Sequence, residues 1–353
     1  MEKLDNLHYS YREIDGYNKP FNFVLGPREP GKTSMAWLKK VYFPWRKTKR
    51  PWIYLTRTSV EISSALIESI ADTIINKFTD DNVKLVYTKG TFKEGITDVF
   101  IGKDIFFRIV SLNIQLRRIK LAVLKNIEAV LMVEYVINPR NIEKYLKDEA
   151  YKIMEAYTTW RRECKGILKC YFLGNPYSLF NPLFVYWGVD TNKLKPGTFY
   201  VGENFVIHYC QLSEGLRAKL LEQNPLYKFD EDYSAYALDG VAMNDRNIKV
   251  VSKQPMGYSL RYVFRIANKF IGVYRNNYLI DHEDKYWCSP VDTPSARRQV
   301  WCFDFGELIE RVSLISQEER IALSHFKSAM RRRNISFSSI EVYYYIEEIY
   351  NNL

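Results

Sequence analysis

The stretch "FNFVLGPREPGKTSMAWLKKVYF", Phe21 to Phe43, decides how the chain is read. An apolar run, Phe21 to Leu25, stops at Gly26. Gly31, Lys32 and Thr33 then complete the spacing of Gly, four residues, Gly-Lys-Thr, and an amphipathic stretch follows at once. A buried strand, a glycine loop and a helix start, in that order, let backbone N–H groups and a helix N-terminus cradle phosphates. In such a loop Lys32 reaches the β- and γ-phosphates, and the Thr33 hydroxyl holds Mg2+. Pro30 removes one N–H from the cradle, and Arg28 returns positive charge beside the phosphates. The expected ATP-binding set is Gly26, Pro27, Arg28, Glu29, Pro30, Gly31, Lys32, Thr33 and Ser34, with Thr33 as the metal ligand. The alternative is a turn that matches the pattern and holds nothing.

The bulk numbers allow two domains and a substantial core in 353 residues, with 47% hydrophobic and 26% charged residues as in folded soluble proteins. A net charge of +10 favours a polyanionic partner. The five cysteines are scattered without a CxxC pair or a His-linked spacing, which predicts reduced thiols in a cytoplasm rather than a zinc site. The first residues carry no apolar stretch of the signal-peptide kind, and no uncharged run is long enough to span a bilayer, so no membrane is expected.

From Phe21 to Gln211 short apolar runs ("FNFVL", "WIYL", "KLVY", "IFFRIVSL", "AVLMV", "LKCYFLG") alternate with amphipathic stretches such as "SVEISSALIESIADTIINKF" and "DEAYKIMEAYTTWRRE". That alternation predicts an α/β sheet with helices on both faces. A more polar stretch follows and reads as a connector. Beyond it "SLRYVFRIANKFIGVYRNNYLIDHE" alternates apolar and polar residues around the turn Ala267-Asn268-Lys269, and two helical stretches, Ser316 to Arg332 and Ser338 to Tyr350, close the chain. The expected boundaries are a domain over 1–211, a linker over 212–247 and a smaller α+β domain over 248–353.

A P-loop ATPase also needs an acidic strand end. In "AVLMVEYV", Ala129 to Val136, the last strand position is Val133, where an Asp usually coordinates Mg2+ through water. Glu134 stands where a catalytic carboxylate polarises the attacking water; the bland alternative is a strand-capping surface charge. Further on, "TTWRRECKGILKCYFLGNP" carries Arg161 and Arg162 at a helix end and a strand ending at Gly174-Asn175. A polar residue there senses the γ-phosphate, and an arginine on the preceding helix reaches a neighbouring subunit's site. Taken singly, each is a solvated arginine or a turn asparagine.

These residues resemble the DNA-packaging ATPases (encapsidation proteins) of small tailed phages of the φ29 type, relatives of the terminase large subunit. "FNFVLGPREPGKT", "WIYLTRTSVEIS", "AVLMVEYV", "YFLGNPYSLFNPLF" and "YVFRIANKFIGVYR" carry the likeness, collinear over almost the whole chain. The resemblance implies a P-loop ASCE-type ATPase domain followed by a degenerate ribonuclease-H-like domain. It implies a homo-oligomeric ring, a pentamer, acting from the host cytoplasm at the portal (connector) vertex of an empty capsid and driving double-stranded DNA inward with ATP, with a packaging RNA as a further partner where one is used. By position Glu134 becomes the catalytic glutamate, Arg161 the trans-acting arginine finger, with Arg162 as its neighbour, and Asn175 the end of the coupling strand. Arg57, in "YLTRT", also matches a family arginine. The family's Asp-Glu pair is Val133-Glu134 here.

A packaging ring grips phosphates without reading sequence. "QLRRIKLAVLK" supplies Arg117, Arg118, Lys120 and Lys125 as the expected DNA contacts, and "WRKTKRP" adds Arg46, Lys47, Lys49 and Arg50, where a solvated face is the favoured reading. "AMRRRN" (Arg331, Arg332, Arg333) ends a helix and reads equally as a nucleic-acid contact or a helix terminus stabilised by its dipole. A nuclease of ribonuclease-H type needs clustered carboxylates on its strands. The hairpin "RYVFRIANKFIGVYR" has none, while Asp281, Glu283, Asp284, Asp292 and Asp304 sit in loop-like surroundings. The competing functions are a terminase with metal-dependent nuclease activity and a nucleotide-binding assembly protein that does not hydrolyse.

Overall fold

Side-chain alternation builds the first sheet outward from its centre. In β1 (Phe21–Leu25), Phe21, Phe23 and Leu25 join the core on one face while Val24 joins the core on the other. A strand buried on both faces reads as a continuous apolar run, which is how it stands in the sequence. Each such Phe or Leu side chain removed from water contributes about 1.5–3 kcal/mol. The computed structural model describes residues 8–353 except 89–90, 139–144, 180, 230, 241–248, 267, 279–283, 296–297, 304 and 333. Two compact units divide the chain, Met1–Met243 and Asn244–Leu353.

In the first unit β1 is joined by β2 (Trp52–Thr56), β3 (Leu85–Tyr87), β4 (Ile96–Ile101), β5 (Asp104–Ser111), β6 (Ala129–Val133), β7 (Lys169–Gly174), β8 (Thr198–Val201) and β9 (Phe205–Tyr209). The sheet order is β3-β4-β5-β2-β6-β7-β1-β9-β8. The central six, β5 to β9 in that order, are parallel. The edges β3, β4 and β8 pair antiparallel. The strand β7 lies between β1 and β6, the order of ASCE-type P-loop folds, and all three C-terminal ends open on the same edge of the sheet. One face is covered by the helical run that begins at Lys32, whose Trp37, Leu38, Val41 and Trp45 are buried, and by Ser64–Ser69 with its continuation. The opposite face carries the helix Glu149–Trp160, through Ala150, Ile153, Ala156 and Trp160, and the short helix Pro182–Tyr186.

The stretch expected as a linker over 212–247 folds differently. Glu214–Gln223, Leu226–Phe229 and Glu231–Ala237 are helices, and Tyr227, Tyr236, Ala237 and Leu238 enter the first unit's core. Its polar residues face outward and hide, in the sequence, a tyrosine-rich inner face. Residues 241–248 lie outside the described ones.

The second unit contains β10 (Tyr258–Ile266), β11 (Lys269–Asn276), β12 (Tyr286–Pro290), β13 (Val300–Cys302), β14 (Val312–Leu314) and β15 (Ile335–Phe337), ordered β14-β13-β10-β11-β12-β15. β10, β11 and β12 form an antiparallel meander, and β13 and β14 extend it parallel to β10. That is the ribonuclease-H-like arrangement. At the hairpin tip Asn268 takes a left-handed φ of 60°, a conformation asparagine tolerates; Ala267 lies outside the described residues. The closing helices are Gln317–Ala322, Ser324–Arg331 and Ile340–Asn352.

Candidate active site

The loop after β1 is fixed by what its backbone must avoid. A Cβ on Gly26 would lie 2.3 Å from the Cys210 Sγ and 2.7 Å from the Cys210 carbonyl oxygen, so only glycine fits beside β9. Gly31 has a φ of 71° at the N-cap of the helix starting at Lys32, where a side chain would be strained. Behind the loop, Tyr9 N–H donates to the Pro30 carbonyl (2.9 Å), and the Tyr11 hydroxyl donates to the Lys32 carbonyl (2.8 Å).

A cavity of about 150 Å3 opens in front, lined by Arg28, Gly31, Lys32, Thr33, Ser34, Val133, Glu134, Leu173, Gly174 and Asn175. Residues from the ends of β1, β6 and β7 therefore meet at one place, although 143 positions separate Lys32 from Asn175 in the chain. Lys32 is 5% exposed, and its Nζ donates to the Gly26 carbonyl (2.9 Å), the Asn175 Oδ1 (3.1 Å) and the Pro27 carbonyl. Burial pushes its ammonium down to about 8, with Arg28 acting in the same direction and Glu29 against it. Gly26, Pro27, Glu29 and Pro30 shape the loop without lining the cavity: the first two present carbonyls to Lys32, and Glu29 accepts from the Tyr227 hydroxyl (3.4 Å).

Glu134 follows β6 directly with a φ of 58°, a left-handed backbone costly for a residue with a side chain. The turn is held by Arg57, which donates to the carbonyls of Tyr135 (2.9 Å) and Glu134 (3.4 Å). Arg57 is itself clamped by the Glu149 carboxylate at 2.9 and 3.0 Å, in a pair that is 4% and 1% exposed. The Glu134 carboxylate is the sole acidic group among the lining residues. Hard cations take oxygen ligands; Thr33, Ser34, Glu134 and Asn175 offer them and Val133 offers none. The donor set fits Mg2+ with one protein ligand fewer than an Asp-Glu pair would supply.

Arg161 and Arg162 sit in the short turn Arg161–Glu163 after the helix Glu149–Trp160; both are exposed and neither lines this chain's cavity. In the basic cluster on the helix Leu116–Leu121 and beyond, Arg117 and Lys125 are exposed, Arg118 pairs with Glu94 (3.7 Å), and Lys120 pairs with Glu155 (2.9 Å). In the second cluster Arg46, Lys49 and Arg50 face Asp81, Asp104 and Glu128 at 2.8, 3.9 and 2.6 Å. In the second unit the Asp284 carboxylate accepts from Arg275 (2.9 Å) and Asp292 is exposed, while Asp281, Glu283, Asp304 and Arg333 lie outside the described residues. Among the described residues no three His, Cys, Asp or Glu side chains are grouped to hold a metal. No helix among them is long and apolar enough to cross a membrane.

The reading from sequence missed Glu149, Tyr177 and Tyr236. No spacing rule links Glu149 to Arg57 across 92 positions; Tyr177, two residues beyond Asn175, was within the quoted motif and could have been flagged.

Loop, strand ends and strand order together define a P-loop fold of the ASCE type, followed by a ribonuclease-H-like unit. No protein-family model matches the sequence, and no curated protein sequence matches it. Among solved structures, the chain shares its fold with the bacteriophage Phi-29 viral genome packaging motor assembly, at a TM-score of 0.66 and 18% identity over 98% of this chain and 99% of that one. It is also similar to the Phi-28 gp11 DNA packaging motor, at a TM-score of 0.60 and 15% identity over 95% of each chain. Both likenesses run through the two units.

Proposed function

We propose that the chain is an ATP-hydrolysing motor that moves double-stranded DNA into a preformed viral capsid. The observation that carries the reading is the meeting of Arg28, Lys32, Thr33, Glu134 and Asn175 around one cavity, in a fold shared end to end with two phage packaging motors. Lys32 and Arg28 would neutralise the triphosphate, and Glu134 would orient and polarise the attacking water. Thr33, with Ser34 beside it, would hold Mg2+, which when bound supplies charge neutralisation of the phosphates. To reach a γ-phosphate the Lys32 ammonium must give up contacts that include Asn175, so Asn175 would register arrival and loss of that phosphate. Arg161, exposed and not among the residues lining its own chain's cavity, fits a finger offered to a neighbour in a ring, which we take as a pentamer. Arg117 and Lys125, with Arg118 and Lys120 in weaker standing because of their carboxylate partners, would meet DNA phosphates without reading bases. The ring would assemble in the host cytoplasm and work at the portal vertex, against the connector and a packaging RNA where one exists.

Displacement of a third strand from duplex DNA tests the motor directly. Triplex displacement with ATP, absent with a non-hydrolysable analogue, supports it; displacement in neither condition refutes it. One observation favours a second reading, a nucleotide-dependent assembly protein: Val133 lines the cavity where a metal-binding carboxylate is expected. That protein would bind ATP and form rings with no phosphate release.

A further inference from the structure

The loop is short of backbone donors. Pro27 and Pro30 have no N–H, Gly26 N–H is spent on the Gly174 carbonyl (3.3 Å), and Arg28 N–H on the Ala237 carbonyl (3.2 Å). Of these first five loop positions only Glu29 keeps an N–H to offer. An anion in the cavity meets fewer amides from this part of the loop, so the aim of the side-chain cations matters more than in a loop of small residues.

Arg28 is aimed by two tyrosines. Arg28 lines the cavity, and its guanidinium donates through Nη2 to the Tyr177 hydroxyl (2.8 Å). The Tyr177 ring stacks on Tyr236, with centroids 5.0 Å apart and planes 26° apart. Tyr177 is tied to the cavity from the other side, because its N–H donates to the carbonyl of Asn175 (2.8 Å), the residue that holds Lys32. Tyr236 is 2% exposed, and its hydroxyl makes no hydrogen bond of normal geometry among the described residues. Burial raises its phenol, Tyr177 adds to the rise and Arg28 opposes it, which places the three groups in mutual electrostatic reach. Tyr233 and Tyr227 extend the same aromatic face, and Tyr227 reaches Glu29 in the loop.

We infer that Tyr177 and Tyr236 are positioning residues for Arg28: the stacked pair, with the Tyr177 hydroxyl as acceptor, holds the guanidinium across the cavity and replaces in aim what the loop lacks in amide donors. The inference rests on the nucleotide-site reading given above. It extends that site to the helices before the second unit, which the sequence presented as a connector.

The test is a double-mutant cycle on ATP binding with the full chain, using Tyr177→Phe, Arg28→Ala and both together, read with a fluorescent ATP analogue. Tyr177→Phe keeps the stack and deletes only the acceptor. It is expected to weaken binding about tenfold, the scale of one hydrogen bond to a charged group. In the Arg28→Ala background the same change should have no further effect, since a residue acting through Arg28 has nothing left to position. In turnover the loss should fall on KM for ATP more than on kcat, a split that general destabilisation does not produce. Tyr236→Leu, which removes the stacking partner, provides a second route to the same loss and the same coupling. Losses that add to that of Arg28→Ala, or a Tyr177→Phe chain that binds as wild type does, overturn the inference and leave the nucleotide site standing. A wild-type chain that binds no nucleotide overturns the nucleotide-site reading and this inference with it.

Discussion

Glu149→Gln should unfold the first unit far more easily than its single-atom chemistry suggests. Arg57 and Glu149 are 4% and 1% exposed, and the carboxylate meets both the Nε and the Nη2 of the guanidinium, at 2.9 and 3.0 Å. One of its oxygens also accepts from Leu146 N–H at 3.0 Å. Taking away the negative charge leaves a buried guanidinium with no anion in its pair, answered by the carbonyls of Glu134 and Tyr135, the Tyr145 ring at 5.2 Å and one neutral amide oxygen. Removing one partner of such a pair costs about 3–5 kcal/mol, whereas replacing both by apolar groups of similar volume is often neutral. For a unit of this size each kcal/mol is worth roughly 2–4 °C, so the expected fall in Tm is on the order of 6–20 °C. Urea titrations of wild type, Glu149→Gln and the double variant Arg57→Met with Glu149→Leu make the comparison, with the double expected nearer wild type than the single. A single variant within about 1 kcal/mol of wild type would refute the reasoning, because an uncompensated buried charge cannot be that cheap. The same turn carries Glu134 in its left-handed backbone, so turnover should fall in the single variant even below its melting range.

Restoring a carboxylate by Val133→Asp should lower the Mg2+ concentration giving half-maximal activity, since the lining then offers a second acidic group; an unchanged or raised Mg2+ requirement would contradict the assignment of the site. Lys32 has its pKa pushed down by burial to about 8, below the ordinary 10.5. Its charge is a burial penalty present below pH 8 and relieved as pH rises toward 10.5, so the first unit should gain stability over that window while phosphate affinity is lost. Arginine stays charged throughout, so Lys32→Arg should flatten both trends; a pH-independent wild type would speak against them.

Five of the six parallel strands of the first sheet were legible because strands buried on both faces read as apolar runs, as "FNFVL" and "AVLMV" do; the sixth, β9 (FVIHY), carries a histidine that breaks its run and was not read as a strand. The antiparallel edges were harder. β4 (ITDVFI) and β8 (TFYV) are half-exposed and mix polar with apolar residues, so their pattern blends into loop. The helices of 214–237 were obscured for the opposite reason: a core face made of tyrosines looks polar in a hydropathy reading. At the site, the loop and Glu134 were readable because local spacing encodes strand, turn and helix start. The support beneath them was not. Glu149 and Tyr236 reach Arg57 and Arg28 through the fold, and no local pattern records that proximity.

The central claim is that Glu134 and the Lys32 loop hydrolyse ATP in the service of DNA movement. Steady-state phosphate release, with and without double-stranded DNA, for wild type and Glu134→Gln, tests it most directly. The account predicts release that DNA stimulates and that Glu134→Gln reduces by at least about a hundredfold while nucleotide still binds. Wild-type chain that binds ATP and releases no phosphate, with or without DNA, would contradict it.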